Sequence, residues 1–76
     1  MTTNELIARL YDNLSQLAPS FESRSAYIAG YLNNALKEIA EGGIDELVAH
    51  VDWTNQRVEA KRKTVEMMEE MEYYGV

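Results

Sequence analysis

The chain has no cysteine, one proline, one histidine, one tryptophan and one phenylalanine in 76 residues. Without cysteine there is neither a disulfide nor a thiolate metal site to reinforce a small core. The same absence fits a reducing, intracellular setting. A Cys–His pair is excluded, and a Ser–His–acid triad would rest on His50 alone, with no serine or acid in recognisable triad context. Basic residues are also scarce: seven Lys and Arg against thirteen Asp and Glu leave a net charge of −6. That is the reverse of the basic excess with which a dedicated nucleic-acid binder displaces counterions. No apolar stretch approaches the roughly 18 residues of a transmembrane helix. The opening MTTNELIARLYDNL has acids and amides where a signal peptide needs basic residues and then an apolar run. The expected location is cytoplasmic, away from membranes.

A chain this short buries only about 60% of the surface that its unfolded form exposes. Self-association is the usual remaining source of buried area.

What the sequence does contain is helical periodicity, with its few breakers placed as punctuation. Thr2-x-x-Glu5 has the pattern of a capping box, which starts a helix near residue 3. Ile7, Leu10, Leu14 and Leu17 then recur at 3-4-3 spacing, one apolar stripe. Pro19 stops this helix, because its ring disfavours helical geometry at Ala18 and removes a donor. Ser20 or Ser23 caps a second helix running to about Glu41, with the stripe Ile28, Leu32, Ala35 and Ile39, widened by Tyr31 and Leu36. Gly42-Gly43 closes it with a glycine in the left-handed position. Gly30, flanked by Ala26 and Ala29, suggests a close helix crossing.

From Ile44 no strong breaker occurs until Gly75. Ile44, Val51, Val58 and Val65 stand seven residues apart as heptad positions a, and the d positions are Leu47, Thr54, Lys61 and Met68. One helix of about 28 residues would span about 42 Å. A break or bend at 52–55, where Asp52 has the chemistry of a cap, is the alternative to a straight run. The fold expected is all-α, a small bundle of three helices at about 3–18, 21–41 and 44–73, completed by self-association.

The first two helices are too short to cover the third, yet its far end still carries Val58, Val65, Met67, Met68, Met71, Tyr73 and Tyr74. An apolar stripe of that kind usually marks a contact surface. Segment 57–76 is therefore the expected oligomerisation segment. A parallel pairing would set Arg57 against the partner's Arg62 and bury Lys61. An antiparallel pairing centred near Val65 instead lays the basic segment 57–63 beside the partner's Glu66, Glu69, Glu70 and Glu72. Val58, Arg62, Val65, Met68 and Glu69 are the expected interface residues of an antiparallel homodimer or higher oligomer. The plainer reading is a solvated face with i,i+4 pairs such as Glu59–Lys63 and Arg62–Glu66. The two readings are compatible.

Glu46 and His50 share a helix face at i,i+4, but two ligands do not make a site, and no metal or cofactor is expected. Glu38-x-x-Glu41 and Glu66-x-x-Glu69 resemble the paired E-x-x-E/D motifs with which MazG-like nucleotide pyrophosphohydrolases hold magnesium between facing helices. The resemblance covers four residues, with Lys37 where the family doubles its first glutamate and Glu69 where it typically has aspartate. It implies magnesium at those four carboxylates. Tyr11, Arg24, Tyr27 and Tyr31 form a candidate pocket in which an arginine holds a phosphate and tyrosines stack a base; bordering the core is the alternative role for the tyrosines. Arg57, Lys61, Arg62 and Lys63 near Trp53 make only a narrow basic face, interrupted by Glu59.

The sequence thus points to a non-enzymatic, homo-oligomeric interaction protein, an adaptor or inhibitor that binds another macromolecule. Its acidic surface suits a basic protein partner. Small acidic helical chains of this type are common among phage and bacterial accessory proteins, a fold-level association. An oligomer that captures a nucleotide or small ligand is the alternative.

Overall fold

The computed structural model describes the backbone of residues 1–73 and side chains as far as Met68. Three helices follow in order: α1 (Thr3–Leu17), α2 (Arg24–Gly42) and α3 (Ile44–Tyr73). They form an up-down-up bundle in which α3 packs on both of the others, most extensively on α1. No helix of the described residues is long and apolar enough to cross a membrane.

Local chemistry sets most helix ends. The Thr2 hydroxyl oxygen accepts the Glu5 backbone N–H at 3.2 Å, and the hydroxyl itself donates to the Glu5 carboxylate. One orphan donor of the first turn is thereby satisfied. At the other end Ala18 leaves the helix with φ −59° and ψ 138°, the extended geometry that a following proline imposes. α2 begins at Arg24 with Ser23, the second of the two expected serines, at the N-cap position, three residues later than the bound at 21; the Ser23 hydroxyl makes no capping bond, because Ser20 and Ser23 bond to each other. α2 ends where Gly43 turns the chain at φ +70° and ψ −150°. This is not the left-handed helical cap expected from the sequence but a region open essentially to glycine alone.

The core is a cluster of Leu6, Leu10, Leu14, Ile28, Leu47 and Val51, with Tyr27, Tyr31, Leu32 and Ile39 packed around it. Three expectations need correction. In α1 the buried face runs through Leu6, Leu10, Asn13 and Leu14, while Ile7 is 52% exposed. Leu6 and Ile7 both lie one turn before Leu10, at i−4 and i−3, so periodicity alone does not choose between them. In α2 Leu36 is exposed, and so is Gly30, around which a Cβ would meet nothing within 4 Å. Gly30 therefore marks no close crossing.

α3 runs unbroken through Asp52–Asn55. Its heptad seam is buried from Leu47 to Val58, with α1 of the same chain as its main partner, whereas Ile44, the first expected a position, is 52% exposed. Leu47, Val51, Thr54 and Val58 are all buried. Asn13 Nδ2 donates to Thr54 Oγ1 at 3.1 Å and to Asn55 Oδ1 at 2.7 Å. The Thr54 hydroxyl in turn reaches the His50 carbonyl of the preceding turn at 2.8 Å. Further along, Lys61 Nζ donates to the Gln16 carbonyl at 2.6 Å. The last turn of α1 has no basic residue of its own. Lys61 thus brings a cation from α3 to the negative end of the α1 dipole. A lysine at an otherwise apolar seam position is explained by that carbonyl.

Candidate functional site

The antiparallel packing of α2 on α3 brings Tyr31 and Glu38 against Glu46, His50 and Trp53. Together with Ala49 they line a shallow cleft of about 320 Å³. His50 is the hub. Its Nε2 lies 2.9 Å from Glu38 Oε2 and its Nδ1 lies 2.6 Å from the Tyr31 hydroxyl. A neutral ring that donates from Nε2 to the carboxylate accepts the Tyr31 proton at Nδ1. The Tyr31 ring meets His50 edge-on and stacks on Trp53 with centroids 6.0 Å apart. Burial raises the Tyr31 pKa above its ordinary 10.0, with smaller contributions from the Glu38 carboxylate and Tyr27. The hydroxyl therefore keeps its proton at neutral pH.

Glu46 completes the cluster. One ligand atom from each of Glu38, Glu46 and His50 can be chosen so that all lie within 4.8 Å of one another. Glu46 lies over Gly42, where any Cβ would collide with its Cγ. The glycine that ends α2 is thus also the space that the Glu46 side chain occupies. The sequence places Glu46 and His50 one turn apart, but the third member, the Glu38 carboxylate, arrives from α2, twelve residues before His50. The signal for it would have been the α2–α3 hairpin: two antiparallel helices closed by Gly42-Gly43 set Glu38 beside Glu46 and His50.

The tyrosine–arginine pocket expected from the sequence is distributed differently. Tyr27 and Tyr31 both pack on the core. Tyr31 is engaged by His50 and Trp53, whereas the Arg24 guanidinium lies 4.9 Å above the exposed Phe21 ring, and Tyr11 is exposed on α1. The cation near the aromatic pair is Arg57, 5.7 Å over Trp53. Glu38 and Glu46 line the cleft and would repel a phosphate, so its chemistry suits a cation better than a nucleotide.

The two glutamate pairs do not face one another within the chain. Glu38 sits at the level of His50, and Glu66 is sixteen residues, or about 24 Å, further along α3. The side chain of Glu69 lies outside the described residues.

Of the residues expected between copies, Val58 is already covered within the single chain, 8% exposed. Val65 and Met68 stand in the same seam register but are 46% and 61% exposed. Arg62 pairs with Glu59 of its own helix at 3.5 Å, and Glu69 is again outside the described side chains. No protein-family model, curated protein or solved structure matches this chain.

Proposed function

We propose that the chain is a non-enzymatic interaction protein that pairs with a second copy through the distal part of α3 and presents an acidic helical surface to another macromolecule, as an adaptor or inhibitor. One observation carries the pairing. The seam covered by α1 at Val51, Thr54 and Val58 continues in register to Val65 and Met68, where α1 has ended and nothing among the described residues covers it. From Arg62 to Tyr73 about 18 Å of helix extends past the Lys61–Gln16 contact. Exposed Met67 widens the apolar strip.

Charge favours an antiparallel second copy. Lys61 is held by the α1 carbonyl, Arg57 by Trp53 and Arg62 by an exposed pair with Glu59, so Lys63, joined by Arg62 when it exchanges that partner, meets the partner's glutamates from Glu66 onward. Each exposed pair contributes only ~0.2–1 kcal/mol. The repulsion they create in a parallel alignment does as much to fix orientation.

Sedimentation equilibrium between about 1 and 100 μM tests the pairing. The expected result is a dimer that V65D or M68K converts to a folded monomer. A wild-type chain that stays monomeric at tens of micromolar refutes it. The adaptor role predicts a salt-sensitive complex retrieved from the native host, and recovery of the chain alone counts against it.

A further inference from the structure

The geometry points to a divalent transition-metal site of the zinc class, formed by His50 Nε2 with one carboxylate oxygen each from Glu38 and Glu46. Three features of the cluster carry this. First, it combines an imidazole with two carboxylates, a donor set that suits zinc, cobalt or nickel better than the hard cations magnesium and calcium. Second, the ligand atoms already converge to within 4.8 Å. A tetrahedral ion with bonds of about 2.0–2.1 Å holds its ligands roughly 3.4 Å apart. Nε2 and Glu38 Oε2, at 2.9 Å, need only open slightly, and the Glu46 carboxylate, already over Gly42, needs only to close the remaining distance from within 4.8 Å. Third, the far ring nitrogen is held from outside the ligand set. Metal-bound histidines almost always have such a partner, which fixes the ring and its tautomer. Here it is the Tyr31 hydroxyl, 2.6 Å from Nδ1 and itself buttressed by Trp53.

In the neutral tautomer that donates from Nε2 to Glu38, the proton is relocated to Nδ1 on binding, and Tyr31 Oη turns from donor to acceptor. The Nε2 lone pair is then free for the ion. Glu38 is exposed, so the side of the cleft it lines stays open to a water or another molecule's donor in the fourth position. The ion would join α2 to α3 at their hairpin, independently of the distal α3 surface.

Trp53 is the only tryptophan and lines the same cleft, so its fluorescence reports directly. Titration with Co(II) or Ni(II) should quench it saturably at one equivalent, and Zn(II) should compete. H50A should abolish the effect. E38Q, E46Q and Y31F should each weaken binding by about 10–100-fold. G42A, which supplies no ligand but displaces Glu46, should weaken it as well, while E22Q should leave it unchanged. If H50A does not fold, NMR of the wild type gives the reading: Zn(II) must shift the His50 ring carbons. Absence of saturable binding up to 1 mM metal overturns the site. So does binding that needs His50 but is indifferent to E38Q, E46Q and G42A, which would reduce the cluster to a surface histidine with an ion-paired neighbour.

Discussion

Replacing Thr54 with valine removes one hydroxyl from the most enclosed polar position of the molecule and leaves the side-chain shape nearly intact. Thr54 is 0% exposed, and its oxygen accepts from Asn13 Nδ2 while its proton goes to a carbonyl of the preceding turn. The carbonyls of His50 and Val51 keep their helical partners after the change. Asn13 keeps its part-buried bond to Asn55 but loses the buried one to Thr54. A net hydrogen bond is worth ~0.5–1.5 kcal/mol, and a donor left partly unsatisfied in the interior costs ~1–3 kcal/mol. The expected loss for T54V is therefore about 1–2 kcal/mol. Against a total of roughly 4–11 kcal/mol for a domain of this length, that lowers Tm by roughly 5–15 °C. N13L alone should cost a similar amount, because it strands the Thr54 oxygen without its donor. The double variant N13L/T54V buries no polar group at the contact, and exchanging both partners for apolar ones is nearly neutral. It should recover most of the loss, with a coupling of about 1–3 kcal/mol. Thermal and urea unfolding followed by circular dichroism at fixed protein concentration measures all four species. Fixed concentration matters because a dimer makes Tm concentration-dependent. Additivity of the two single changes within about 0.5 kcal/mol would mean that Asn13 and Thr54 do not meet, and would refute the α1–α3 register built on them.

Two glycines should respond in opposite directions. G30A places a methyl group in open space on an exposed face of α2, and should stabilise the chain by about 0.5–1 kcal/mol in the same unfolding assay. G43A forces a Cβ onto a backbone at φ +70°, and should destabilise by about 1–3 kcal/mol while leaving helicity unchanged where the chain remains folded. Equal effects from the two would contradict the turn between α2 and α3.

Helix ends were legible because they depend on groups a few bonds apart. Thr2 and Glu5, Ala18 before Pro19, and the Gly42-Gly43 pair carry their own geometry wherever the chain goes. The start of α2 was legible only as a choice between Ser20 and Ser23; the chain takes Ser23 as the N-cap position, and composition does not rank the two serines because each can also bond to the other across a turn. The buried Asn13 was missed altogether. An amide on an apolar face looks like an interruption until Thr54 and Asn55 are seen opposite it, forty-one and forty-two residues away.

Three helices, most of their ends and the seven-residue register of α3 can be read from neighbouring residues, because periodicity and capping are local properties of the backbone. What covers that seam depends on how the helices dock. α1 takes it as far as Val58 and Lys61, and Val65 and Met68 are left for another surface. Their docking likewise decides that His50 is not an isolated imidazole. The α2–α3 hairpin brings Glu38 to its Nε2 and Tyr31 to its Nδ1, a convergence set by how two helices dock rather than by any spacing along one of them.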